Sequence, residues 1–223
     1  MSEAEIDYKL VIFDCDGVLV DSETVGLRML AQMVNEYGLY ISAEEAKIKF
    51  RGRKIADCVS EIESQLGRRL PDNFIKVFRS RSYETFRQEL RPCKNVKFVL
   101  DHLDIPVCVA SSAPLEKIEL TLGITKLRDY FGERIYSAYE LGAWKPDPTL
   151  FLHAASEMKT SPEDCVVIED STVGVQAGIA AGMRVFGYAD DSARADSLRD
   201  KGATVFSEMI NLLPLLGIKG LST

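Results

Sequence analysis

Apolar and polar positions along this chain follow two different periods, and the changes between them divide it. Leu10-Val11-Ile12-Phe13 is an unbroken apolar run that stops at Asp14-Cys15-Asp16-Gly17, the pattern of a buried strand delivering charge to the open end of a sheet. From residue 22 the spacing turns helical. A helix is expected from about Glu23 to Tyr37, with Asp21 or Ser22 as its cap and Gly38 as its stop. Ile55, Val59, Ile62 and Leu66 recur at helical intervals before Gly67, and Phe74, Val77 and Phe78, then Tyr83 and Phe86, predict further turns. At Arg91-Pro92 the pattern changes again. Val107-Cys108-Val109-Ala110, Ile135-Tyr136, Val166-Val167-Ile168 and Val185-Phe186 alternate with helical stretches, which predicts crossover units and a parallel sheet.

The expected fold is therefore α/β: a Rossmann-like parallel sheet core with helices on both faces, formed by residues 1–21 and 90–223, with residues 22–89 as an inserted all-helical domain. After Trp144-Lys145-Pro146 a helix is signalled by Asp147 as cap, Pro148 at the first helical position, and an apolar stripe of Leu150, Phe151, Ala154, Ala155 and Met158. Ser171 or Thr172 should cap another helix that Gly182 ends. The Gly174–Gly178 spacing inside it reads as close packing rather than a phosphate loop. The chain carries no Walker sequence, no dinucleotide fingerprint and no internal repeat.

Composition narrows the function classes. A net charge of −7 over 223 residues argues against a nucleic-acid partner, which needs a basic face. The arginines at 79, 81, 87 and 91 are interrupted by glutamates at 84 and 89, as on a solvated helix face. Five scattered cysteines without metal-type spacing read as reduced core residues, and Met1-Ser2-Glu3-Ala4-Glu5 is acidic with no long apolar segment after it. The expectation is a cytoplasmic monomer that engages no membrane and no nucleic acid.

Strand ends of a parallel sheet face one crevice. The residues just after the apolar runs are Asp14 and Asp16, Ser111 and Ser112, and Glu169 and Asp170, with Lys145 in a loop able to reach them. Two carboxylates a few Å apart repel by about 4 kcal/mol at an effective dielectric of about 20, so a cation is expected between them. Four carboxylates, a hydroxyl pair and a lysine suit a divalent ion and a phosphoryl group. Arg51-Gly52-Arg53-Lys54 is either a solvated basic turn or a contact for a second anionic group on a substrate, with Arg53 the candidate. His102 and His153 read as packing residues, Trp144 as a loop anchor or cleft wall, and Cys15 as a core residue facing away from its two aspartate neighbours.

Four motifs carry a resemblance: Asp14-Cys15-Asp16-Gly17-Val18-Leu19-Val20-Asp21-Ser22, Ser111 after its strand, Trp144-Lys145-Pro146-Asp147-Pro148, and Ile168-Glu169-Asp170-Ser171. In order and strand context they resemble those of the haloacid dehalogenase superfamily, and the helical insertion resembles its small cap. The resemblance implies that Asp14 is the nucleophile, that Asp16 is general acid and base, and that Ser111, the Ser112 amide and Lys145 hold the phosphoryl group. It implies Mg²⁺ held by Asp14, the Asp16 carbonyl and Asp170, with Glu169 acting through water. Asp16 favours the phosphatase branch over dehalogenases and phosphonatases. The chain also resembles the β-phosphoglucomutase-like subgroup, but Gly26 and Ile55 stand where those mutases carry a histidine and an arginine. The implied substrate is a small phosphorylated metabolite, a sugar or sugar-acid phosphate. The stretch from Trp144 through His153-Ala154-Ala155 suggests 6-phosphogluconate as the example. A sugar phosphomutase and a non-catalytic metabolite-binding protein are the alternatives.

Overall fold

A computed structural model describes residues 8–51 and 53–218; Met1 to Glu5 and Gly52, on which two of the expectations above fall, lie outside the described residues. Six strands, β1 (Leu10–Phe13), β2 (Val107–Ser111), β3 (Ile135–Ser137), β4 (Cys165–Glu169), β5 (Arg184–Tyr188) and β6 (Thr204–Phe206), form one parallel sheet in the order β3-β2-β1-β4-β5-β6. The chain runs outward one way through β2 and β3 and the other way through β4 to β6, so the order reverses between β1 and β4. That reversal is where open α/β sheets leave a ligand crevice. The core strands β1, β2 and β4 are buried along their whole length, which their uninterrupted apolar runs require.

The chain divides into two compact units, one holding the described residues up to Val20 and from Pro92 onward, the other Asp21–Arg91, against the expected 22–89 for the insertion. The second unit consists of α1 (Ser22–Glu36), α2 (Ala43–Phe50), α3 (Ile55–Leu66) and α4 (Phe74–Glu89). Leu30, Val34, Phe50, Ile62 and Phe74 are buried together at its centre. The separate turns expected at Phe74 and Tyr83 are one continuous helix. α2 begins in a capping box, Ser42 accepting from the Glu45 amide while Glu45 accepts from the Ser42 amide. Arg81 pairs with Glu36 and Arg87 with Glu84, so those arginines serve helix pairing.

The remaining helices lie on the sheet unit: α5 (Val96–Asp101), α6 (Leu115–Ile124), α7 (Arg128–Phe131), α8 (Ala138–Leu141), α9 (Thr149–Glu157), α10 (Thr172–Ala180), α11 (Ser192–Arg199) and α12 (Leu212–Leu215). α9 starts one residue later than its sequence signals suggest. Pro148 is the cap residue rather than the first helical one, and Asp147 accepts from the Thr149 amide at 2.8 Å in a turn just ahead of the helix. Its stripe of Leu150, Phe151, Ala154 and Ala155 is buried against Leu10, Ile12 and Val167 of the sheet core. No helix of the described residues is long and apolar enough to cross a membrane.

Two helical glycines have opposite surroundings. A Cβ on Gly178 would lie 2.6 Å from Val185 Cγ2, a stiff side chain buried in β5, whereas a Cβ on Gly123 meets nothing within 4 Å. Gly178→Ala should therefore lower unfolding free energy by about 1–3 kcal/mol through overpacking. Gly123→Ala should raise it by about 0.4–1 kcal/mol, since only the helix-propensity gain operates there. Urea unfolding of the two variants checks both signs, and a destabilised Gly123→Ala would contradict the packing described here.

Candidate active site

β1 lies between β2 and β4, with Phe13 opposite both Val109 and Ile168, so the segments that leave these three strands emerge side by side. The Asp14 amide extends the ladder by donating to the Ile168 carbonyl at 2.9 Å. The chain then turns tightly, with Gly17 at φ +82° and its amide donating to the Val20 carbonyl at 2.8 Å. A Cβ on Gly17 would fall 2.2 Å from Asp170 Oδ2. Glycine is demanded there twice, by the left-handed backbone and by the Asp170 carboxylate packed onto the turn.

Lys145 closes the site from the loop before α9; its peptide bond to Pro146 is cis. Buried, it donates from Nζ to Asp14 Oδ1 and, at 2.7 Å, to Glu169 Oε1, with Nζ 4.9 Å from the centre of the Phe151 ring. The other Glu169 oxygen accepts from the amides of Asp170 and Ser171 at 2.8 Å and from the Ser171 hydroxyl at 2.9 Å. Ser171 also caps α10 by accepting from the Gly174 amide at 3.1 Å. A Cβ on Gly174 would sit 1.8 Å from Glu169 Oε1, so that glycine makes the space in which the glutamate is held. Glu169 thus holds Lys145 through one oxygen and the turn before α10 through the other.

Burial pushes the Asp14 carboxyl up to about 7, against the pull of the Lys145 ammonium and with the help of the Glu169 and Asp16 charges. Burial also works against the Lys145 charge, but Asp14 and Glu169 outweigh it and hold the ammonium above its ordinary range. Cys15 is buried with its Sγ 3.8 Å from Thr121 Oγ1, and burial pushes its thiol well up. A thiol so held stays protonated and is no nucleophile.

Ser111, at the end of β2, is buried and its Oγ accepts from the Ala113 amide at 3.2 Å, while Ser137 pins the same loop by donating to the Ala113 carbonyl at 2.7 Å. Arg53 belongs to the second unit, where its guanidinium pairs with Glu61 and lies 5.7 Å from the centre of the Phe50 ring. Two cations went unnoticed in the sequence. Lys117 in α6 reaches Asp16 Oδ2 at 2.8 Å. Arg194 in α11 pairs with Asp170 Oδ2 at 2.9 Å and donates to the Asp170 carbonyl at 3.1 Å. Both stand in the first turn of a helix that follows a sheet strand, a position that faces the strand ends, and that placement was the available signal.

Among the described residues no three His, Cys, Asp or Glu side chains gather into a metal cage. The donors present nevertheless suit a magnesium ion. Asp14 and Asp170 stand at adjacent strand ends with the Asp170 carboxylate against the Asp16-Gly17 turn, all are hard oxygens, and octahedral Mg²⁺ keeps several waters and needs few protein ligands.

Comparison with known proteins agrees with this geometry. The description "Haloacid dehalogenase-like hydrolase" belongs to the family model that matches residues 11–188. The 6-phosphogluconate phosphatase of Escherichia coli K12 is 33% identical over 211 residues, covering 94% of this chain and 95% of that protein. Among solved structures, a conserved haloacid dehalogenase-like protein of unknown function from Agrobacterium tumefaciens superposes with a TM-score of 0.86 at 35% identity, covering 94% of this chain and 98% of that one. A Deinococcus radiodurans HAD family hydrolase with bound phosphate and sodium gives a TM-score of 0.81 at 28% identity, covering 96% and 97%. With the strand-end carboxylates, the lysine they clamp and a family match across most of its length, the chain belongs to the haloacid dehalogenase-like hydrolases.

Proposed function

We propose that this enzyme hydrolyses a small sugar or sugar-acid phosphate through an aspartyl-phosphate on Asp14. The observation that carries the reading is the buried clamp in which Asp14 and Glu169 share the Lys145 ammonium while Asp16, two residues on, is held by a separate lysine. Asp14 Oδ attacks phosphorus, the bond from phosphorus to the sugar oxygen breaks, and Asp16 gives its proton to that oxygen. Water then attacks the aspartyl-phosphate, its proton passes to the Asp16 carboxylate, the bond from phosphorus to Asp14 breaks, and phosphate leaves with Asp14 restored as a carboxylate and Asp16 as the acid. Ser111 and the Ser112 amide hold phosphoryl oxygens, and Lys145 compensates the charge shared by nucleophile and transferring group. Asp14, the Asp16 carbonyl and Asp170 would hold Mg²⁺, which supplies charge stabilisation to the phosphoryl oxygens.

The identity with a 6-phosphogluconate phosphatase over nearly the whole of both chains makes 6-phosphogluconate the first substrate to try. Relatives named fructose-1-phosphate phosphatase and hexitol phosphatase, each 30% identical over 78–79% of this chain, support the wider class of sugar phosphates. Hydrolysis is favoured over mutase chemistry by Gly26, in α1, where the resembling mutases carry a histidine. That Cys15, Cys58, Cys93, Cys108 and Cys165 form no disulfide among the described residues suits a reducing, cytoplasmic setting.

Phosphate release from p-nitrophenyl phosphate and 6-phosphogluconate should require Mg²⁺, stop with EDTA and return when Mg²⁺ is restored. Asp14→Asn should reduce it on the order of a thousandfold or more, because the nucleophile is gone. Turnover that survives either treatment would rule out the aspartyl-phosphate route.

Lys145→Met should lower kcat by about a hundredfold or more, since it removes charge needed as the transferring group develops its own. It should also destabilise the protein by about 3–5 kcal/mol, because two buried carboxylates lose their cation. Steady-state kinetics with urea unfolding on the same preparation checks both, and an active, equally stable variant would refute the clamp's role.

A further inference from the structure

We propose that Lys117 is the positioning residue for Asp16, directing its carboxylate at the leaving oxygen. The proposal rests on the hydrolytic reading above and assigns within it a residue that none of the four motifs contains.

The geometry is specific. Lys117 Nζ lies 2.8 Å from Asp16 Oδ2, and the two side chains keep only 24% and 23% of their exposure, a half-dry setting in which an ion pair holds its direction better than at the surface. The backbones beneath the pair are braced together. Thr121, one turn along α6, donates from Oγ1 to the Lys117 carbonyl at 3.0 Å and contacts Cys15 Sγ at 3.8 Å. Cys15 stands between the two aspartates, so a side-chain contact joins the helix that carries Lys117 to the segment that carries Asp16. α6 follows β2, which pairs with β1, and its first turn therefore stands beside the loop after β1.

Helix stability does not explain a lysine there. Lys117 is the third residue of α6, close to the positive end of the helix dipole, where a cation is disfavoured. Nor is the ion pair needed to dock the helix, since Ile118 and Leu122 are fully buried beneath it and supply apolar anchoring. The carboxylate it touches gives it a role at the site. Lys145 is locked between two buried carboxylates and compensates Asp14; Lys117 reaches Asp16 from a more open position and aims it, so each aspartate of the turn has its own lysine.

The test compares leaving groups. p-Nitrophenolate departs from phosphorus with little need of a proton, whereas the benzyl alkoxide needs one, and the two esters are similar in size. With Mg²⁺ present, Lys117→Met should lose kcat on benzyl phosphate by about tenfold more than on p-nitrophenyl phosphate, a part of the roughly hundredfold or more that acid catalysis supplies. KM should shift alike for both esters, and Lys117→Arg should recover most of the difference. Equal losses on the two esters, or no loss on either, overturn the assignment. Urea unfolding shows whether Lys117→Met is folded; if it is not, the Arg variant and Lys117→Gln decide the same ratio. Wild-type protein that releases phosphate from neither ester nor 6-phosphogluconate overturns the hydrolytic reading itself, an outcome distinct from failure of the Lys117 assignment.

Discussion

The buried ammonium of Lys145, shared between Asp14 and Glu169, is the constraint that most of the sheet unit is arranged to satisfy. A charge removed from water costs several kcal/mol unless its partners are positioned well, and here three elements position them. β1 and β4 bring Asp14 and Glu169 to neighbouring strand ends, and α9, buried on the sheet, brings the loop that carries Lys145. The glutamate is tied down by the Asp170 and Ser171 amides and the Ser171 hydroxyl. Gly174 exists as a glycine because any side chain would displace it. Replacement of such a triad by apolar residues is often neutral or stabilising, so its presence is better explained by chemistry than by stability.

The two aspartates of one short turn end in different settings, and this difference makes unequal roles physically reasonable. Asp14 is buried, closes the strand ladder through its own amide and faces a locked lysine. Asp16 is more open and paired with a lysine from another helix. A nucleophile benefits from a fixed position and excluded water, while an acid that must lose and regain a proton benefits from contact with solvent. The alternation of side chains, with Cys15 turned into the core between them, lets one turn present both.

Much of this was legible in the sequence, and the reason differs from residue to residue. Asp14 and Glu169 stand out because each ends an apolar run, where a charge has no core explanation. Lys145 stands out by its motif. Lys117 and Arg194 do not, because each sits in a stretch whose charges look like an ordinary solvated helix face; only the strand order β3-β2-β1-β4-β5-β6 brings them to Asp16 and Asp170. β6 escaped notice because Thr204–Phe206 is a three-residue edge strand with little apolar run to mark it. The start of α9 was misplaced because Asp147 satisfies the Thr149 amide from a turn ahead of the helix, which a sequence does not distinguish from a cap. The Gly174–Gly178 spacing signals close packing, which Gly178 against Val185 fits; Gly174 serves the site itself.

The charge balance explains why this crevice suits a phosphoryl group plus a metal and not a dinucleotide. Sites for dinucleotides on this strand order meet the pyrophosphate with glycine-rich backbone and a helix N-terminus, which adds little charge. Here the strand ends carry four carboxylates, Asp14, Asp16, Glu169 and Asp170, against three cations, Lys145, Lys117 and Arg194. A phosphate dianion entering that field would meet a net negative charge. One divalent ion held by Asp14, the Asp16 carbonyl and Asp170 would reverse the sign and leave room for the dianion. Because such an ion would also favour the charged form of Asp14, the charge that would admit the dianion would also suit Asp14 to the nucleophilic role proposed for it.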